Sequence, residues 1–112
     1  MKKLIFLLIF FAFLSCKKQE ICISNMQVEF LPVQIYGNDQ NEGIIMSFEN
    51  RCKNFRSLYW DFGDGCTAYN TDKIIYHNYD NEGSYQVTLT AEDVCNNIFT
   101  TSEEIFVLYK PD

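Results

Sequence analysis

The sequence predicts an all-β fold, an immunoglobulin-like sandwich of about seven short strands behind an N-terminal signal peptide. Three observations predict it. Apolar and polar residues alternate along several runs, as in strands with one buried and one wet face. Clusters of Gly, Asn and Asp separate those runs at short intervals. No window repeats apolar residues at i, i+3, i+4 and i+7, so an amphipathic helix has no support.

A chain of 112 residues leaves room for one domain. Met1-Lys2-Lys3 is a short basic start, and residues 4–14 form an unbroken apolar run. A helix needs roughly 20 residues to cross a membrane, so this run fits a signal-peptide core ahead of the small Ser15. Phe13-Leu14-Ser15-Cys16 resembles a lipobox, the site at which bacterial lipoproteins are cleaved and acylated on cysteine. That resemblance implies a signal peptide at 1–15, lipidation of Cys16 and a tether at 16–25. It also implies a place in the bacterial cell envelope, lipid-anchored at the outer membrane on its periplasmic or outer side. Cleavage there removes Lys2 and Lys3, leaving 7 basic against 15 acidic residues, a net charge of −8. Such a chain repels phosphate backbones, so nucleic acid is not an expected partner.

The elements follow in order across residues 26–109. The first strand is 27–35, where Pro32 removes a backbone donor and suits an edge strand. Residues 37–43 read as a loop. Strand 44–49 places Ile44, Met46 and Phe48 on one face, and 50–54 is a polar connection holding Cys52. In strand 56–62, Leu58, Trp60 and Phe62 share a face. Gly63-Asp64-Gly65 is a tight turn. The less regular stretch 66–73 leads into strand 74–79, and 80–83 is a turn. The clearest alternation is in strand 84–92, with Tyr85, Val87, Leu89 and Ala91 on the buried face. After the loop 94–97, strand 98–108 turns Ile105 and Val107 inward.

Tyr59-Trp60-Asp61-Phe62-Gly63-Asp64-Gly65 resembles the WDFGDG signature of PKD (polycystic kidney disease) domains. His77-Asn78-Tyr79 and Glu82-Gly83-Ser84-Tyr85-Gln86-Val87-Thr88-Leu89 are similar to two further motifs of that family, in the same order and at the same spacing. The resemblance implies a two-sheet sandwich of the kind found in extracellular proteins, often a non-catalytic companion of secreted hydrolases. It also implies structural roles for Trp60, Asp61, Phe62, Gly63, Asp64, Gly65, His77, Tyr79, Gly83 and Tyr85. With room for one domain only, the spacer role beside a hydrolase is not carried over.

Beyond Cys16 stand Cys22, Cys52, Cys66 and Cys95, an even count that suggests disulfides in an exported protein. In an immunoglobulin-like sandwich the connections after Phe48 and after Ala91 lie at the same end. A Cys52–Cys95 bridge is therefore expected, and a second one, Cys22–Cys66, only if the tether folds back along the sandwich. No C-x-x-C pair is present and histidine occurs once, which argues against structural zinc.

Asp61 and Asp64 are the pair to weigh as catalytic carboxylates. Flanking a tight turn, they are assigned instead to accepting backbone N–H bonds. His77 would serve as a general base only with a nucleophile and an orienting acid nearby; the sequence offers no G-x-S-x-G, and His77 is assigned to packing or hydrogen bonding. The oxygen-rich stretches 37–43 and 80–82 lack calcium-loop spacing. Tyr59, Tyr69, Tyr76, Phe99 and Tyr109 remain as candidate surface rings. The expectation is a non-enzymatic lipoprotein without metal or cofactor. Its PKD-like domain would serve protein interaction or scaffolding, the alternative being glycan binding in a polysaccharide-utilisation system. The expected partners are the membrane, through the anchor, and an envelope protein or glycan.

Overall fold

A computed structural model describes residues 21–35 and 43–109. The expected signal peptide, Cys16 and most of the loop at 37–43 lie outside the described residues. Seven strands form two antiparallel sheets: β1 (Phe30–Ile35), β2 (Ile44–Asn50), β3 (Ser57–Asp61), β4 (Thr67–Tyr69), β5 (Ile74–Tyr79), β6 (Gly83–Glu92) and β7 (Ile98–Val107). One sheet has the order β1-β2-β5, the other β4-β3-β6-β7. No helix occurs among the described residues. The fold is the two-sheet sandwich that the alternation predicts.

The core lies where that alternation places it. Ile44, Met46 and Phe48 from one sheet face Leu58, Trp60, Val87, Leu89 and Ala91 from the other, all buried. Phe30, Phe48, Trp60 and Phe62 form a continuous aromatic cluster, with ring centroids 5.4 to 6.2 Å apart. Rings at such spacing add attraction to the area they bury. The Trp60 indole is completely buried, and its N–H donates to the Asn70 carbonyl at 3.1 Å, so burial leaves no orphaned donor. Tyr85, half-buried on β6, donates its hydroxyl to Asn81 O at 2.8 Å. That contact is of the tyrosine-corner kind known from immunoglobulin-like sandwiches. Pro32 sits on β1, which pairs with β2 alone and so tolerates the missing donor.

The cysteine pairing differs from the expectation. Cys22 is bonded to Cys95, while Cys52 and Cys66 are free thiols. The expected Cys52–Cys95 and Cys22–Cys66 bridges are both replaced. The cause is the path of residues 21–29, which run beside the β2–β3 connection. Gln27 pairs with Lys53 as an isolated bridge, and the Asn54 side-chain amide donates to Asn25 O at 2.8 Å. This course carries Cys22 past Cys52 to the β6–β7 turn. Cys52 is left against the Glu29 backbone, Sγ to O at 3.5 Å, where burial raises its thiol pKa.

Buried Asp93 organises that turn. Its carboxylate accepts from the backbone N–H of Cys95 at 2.9 Å and of Asn97 at 2.8 Å, and from the Asn97 side chain. Burial alone would raise its pKa, but the hydrogen bonds, led by that of Asn97, hold it below the ordinary 3.8. The stabilisation is therefore fully present above about pH 4 and is lost as pH falls through the lowered folded value. The urea midpoint is expected to drop between pH 6 and pH 3. Asp93→Asn should shrink that drop, and an unchanged pH response in the variant would refute the assignment.

Candidate functional site

The β3–β4 turn and the end of β5 meet at one end of the sandwich. Gly63 and Gly65 take φ of +85° and +95°, where side chains are disfavoured, which lets three residues reverse the chain. Asp61 Oδ1 accepts from Gly63 N at 3.0 Å, and Asp64 Oδ1 accepts from Cys66 N at 3.1 Å. Both acids thus fold the turn through side-chain-to-backbone bonds, the role that their position predicts. Tyr79, buried on β5, donates its hydroxyl to Phe62 O at 2.8 Å and ties the turn to the opposite sheet. Burial, with the charge of Asp64 adding to it, pushes the phenol pKa far up, so Tyr79 stays a neutral donor.

The two turn glycines are not equivalent. A Cβ at Gly63 would meet the Gln86 carbonyl oxygen at 2.5 Å, a backbone atom that β6 holds in place. A Cβ at Gly65 would meet nothing. Gly65→Ala should therefore cost about 1 kcal/mol, the conformational penalty alone. Gly63→Ala adds a backbone clash and should cost about 3 kcal/mol. Chemical denaturation of the two variants checks this, and equal losses would contradict it. Gly83, the third signature glycine, has φ +151°, and a Cβ there would lie in ordinary contact with Tyr85 Cε2 at 3.9 Å.

His77 points inward from β5 and completes the site. Its ring stacks on Phe62 with centroids 4.1 Å apart and planes within 5°, and meets the Tyr79 ring edge-on at 4.6 Å. Nε2 lies 2.7 Å from Asp64 Oδ2. Burial opposes the Asp64 charge, but the bonds to His77 and to the Cys66 amide bring its pKa below the ordinary 3.8. Nothing in the spacing of the sequence pairs His77 with an acid. The partner comes from the other sheet, 13 residues away, and only the closed sandwich brings them together. Cys66 joins the pair: ligand atoms of Asp64, Cys66 and His77 all lie within 4.8 Å of one another. Cys66, expected in the less favoured Cys22–Cys66 bridge, is instead a free thiol. Its position two residues past Asp64, the offset of the Asx turn, was the available signal.

Two outer surfaces are the other candidates. On the three-stranded sheet, Leu31, Val33 and Ile35 of β1 and Ile74 and Tyr76 of β5 are exposed side chains of one face. Tyr76 is 63% exposed. On the four-stranded sheet, Tyr59 and Tyr69 pair with ring centroids 4.7 Å apart, and Tyr69 is 79% exposed. Tyr109, expected as a surface ring, instead donates to Asp80 O at 3.1 Å.

A buried tryptophan on the third strand, a tyrosine corner on the sixth and a carboxylate-folded glycine turn define an immunoglobulin-like β-sandwich module. The family model for the PKD domain matches residues 34–107, and the chain belongs to that family. Among solved structures, the PKD1 domain of Vibrio cholerae metalloprotease PrtV is 27% identical. Its TM-score is 0.53 over 75% of this chain and 93% of that one. The PKD1 domain of Vibrio anguillarum Epp is 25% identical, with a TM-score of 0.56 over 70% and 95% of the two chains. A structure of carbohydrate-binding modules of the β-sandwich superfamily, described as promiscuous in specificity, has a TM-score of 0.63 at 22% identity. The match covers 75% of this chain but spans only 34% of that structure, and it shows a common fold. A search of curated proteins found no match.

Proposed function

We propose that the chain is a non-catalytic lipoprotein of the bacterial envelope whose PKD domain docks a protein partner on the outer face of its three-stranded sheet. The observation that carries this reading is the apolar face of Leu31, Val33, Ile35, Ile74 and Tyr76. These side chains form two exposed apolar rows, on β1 and β5, with Ser47 and Glu49 of β2 between them, and clustered exposed apolar side chains mark interaction surfaces. Glu49, standing between Leu31 and Ile74, is ion-paired with Arg51 and Lys73, so the partner that fits presents apolar contacts with polar groups between them. Lipidation of Cys16 follows from the lipobox-like residues 13–16 and would hold the domain at the membrane.

A photo-crosslinker placed at Tyr76 in the producing cells should yield one defined protein adduct, and the same probe at Gln86 on the other sheet should not. No adduct at 76, or the same adduct at both positions, would overturn the docking face. Mass spectrometry of the membrane fraction should find an acylated N-terminal Cys16, and an unmodified N-terminus would remove the anchor.

The Tyr59–Tyr69 pair favours a second reading, glycan binding, because sugars stack on exposed rings. A glycan array with the Tyr69→Ala variant as control decides it: signal lost in the variant supports it, and no signal for the parent chain ends it.

A further inference from the structure

We propose that Asp64, Cys66 and His77 form a binding site for a thiophilic divalent metal, Zn2+ fitting best. The three residues supply a carboxylate, a thiol and an imidazole, the ligand types that zinc takes. Their ligand atoms already lie within 4.8 Å of one another. A tetrahedral Zn2+ with bonds of about 2.0–2.3 Å keeps its ligand atoms roughly 3.3–3.8 Å apart. The required movement is small, and the 2.7 Å contact of His77 Nε2 with Asp64 Oδ2 opens by less than about 1 Å to admit the ion.

Two of the ligands are held in advance. The His77 ring is fixed between Phe62 and Tyr79. Asp64 is fixed by the Asx turn, with Oδ1 on the Cys66 amide and Oδ2 facing the imidazole. Cys66 is exposed, so its thiol can swing inward and an incoming ion can reach it. Asp64 and Asp80 both act electrostatically on Cys66, giving this end of the sandwich a negative field that attracts a cation. Binding forms Zn–S, Zn–N and Zn–O bonds while the thiol proton passes to solvent. Three protein ligands leave one coordination position for water or an external donor. The absence of C-x-x-C spacing is no obstacle, because the turn and the facing strand deliver the ligands from different sheets.

The test is titration of the full chain, Cys22–Cys95 bridge intact, with Co2+ as a spectroscopic probe and then with Zn2+. The parent chain should develop a thiolate-to-cobalt charge-transfer band that Zn2+ abolishes. Cys66→Ala should lose the band, Asp64→Asn should weaken affinity at least about tenfold, and Cys52→Ala should leave both unchanged. Circular dichroism confirms that each variant is folded, and Cys66, being exposed, can be replaced without touching the core. No thiolate band in the parent chain, or a band that survives Cys66→Ala, overturns the proposal.

Discussion

Trp60→Ala is expected to lower the stability of the domain by about 3–5 kcal/mol, the range for deleting a large aromatic side chain from a packed core. The indole is completely buried and contacts Phe30, Phe48 and Phe62, so its removal opens a cavity between the two sheets. It also strands the Asn70 carbonyl that its N–H satisfies, about 1 kcal/mol of that total. In a domain of this size each kcal/mol moves the melting temperature by about 4–8 °C, so the variant should melt far lower or fail to fold. Because this is the only tryptophan of the chain, the measurement is circular dichroism rather than intrinsic fluorescence. Trp60→Phe should recover part of the loss, since a smaller ring fills part of the space. A melt within a few degrees of the parent for Trp60→Ala would contradict the assignment of this residue to the centre of the core.

Loss of the Cys22–Cys95 bridge is expected to be comparably severe. The bond closes a loop with a sequence separation of 73, for which chain entropy predicts about 4 kcal/mol. It also holds residues 21–29 beside the β2–β3 connection, so the paired variant Cys22→Ser/Cys95→Ser should release this segment as well. Urea unfolding of that variant should show the lower midpoint, whereas Cys66→Ser should leave the midpoint nearly unchanged. Equal midpoints for the bridge-less and parent chains would show that the bond adds no stability. Free alkylation of Cys22 and Cys95 without reductant would show that it does not form.

Most of the sandwich was legible because its strands are long enough to alternate. β6 runs ten residues with four inward side chains in step, and no other element type fits that pattern. β4 lies inside the stretch 66–73, whose sequence is irregular. Three residues, Thr67–Tyr69, are too few to show a period, and only register against β3 makes them a strand. The bridge to Cys22 was illegible for a different reason. Residues 21–29 form no continuous strand, and their place depends on single contacts, Gln27 with Lys53 and Asn54 with Asn25. The site was half legible. Asp61, Asp64 and the glycines announced the turn, but the meeting of His77 with Asp64 and Cys66 is a product of two sheets closing on each other. Pattern along a chain carries no record of that.

The bridge at the β6–β7 turn also sets where mechanical force enters the protein. If Cys16 is acylated as proposed, only the segment from Cys16 to Cys22 separates the lipid from the covalent clamp. Six residue steps span at most about 20 Å, so the domain rides close to the bilayer on a short leash. A pull on the anchor bypasses residues 23–29 and β1 and arrives at the hairpin of β6 and β7, the longest strand pair among the described residues. With the bridge reduced, the same pull would run through residues 23–29 to edge strand β1 and strip it from β2 one hydrogen bond at a time. The redox state of one bond thus decides whether the tethered domain takes load at the β6–β7 hairpin or peels from edge strand β1.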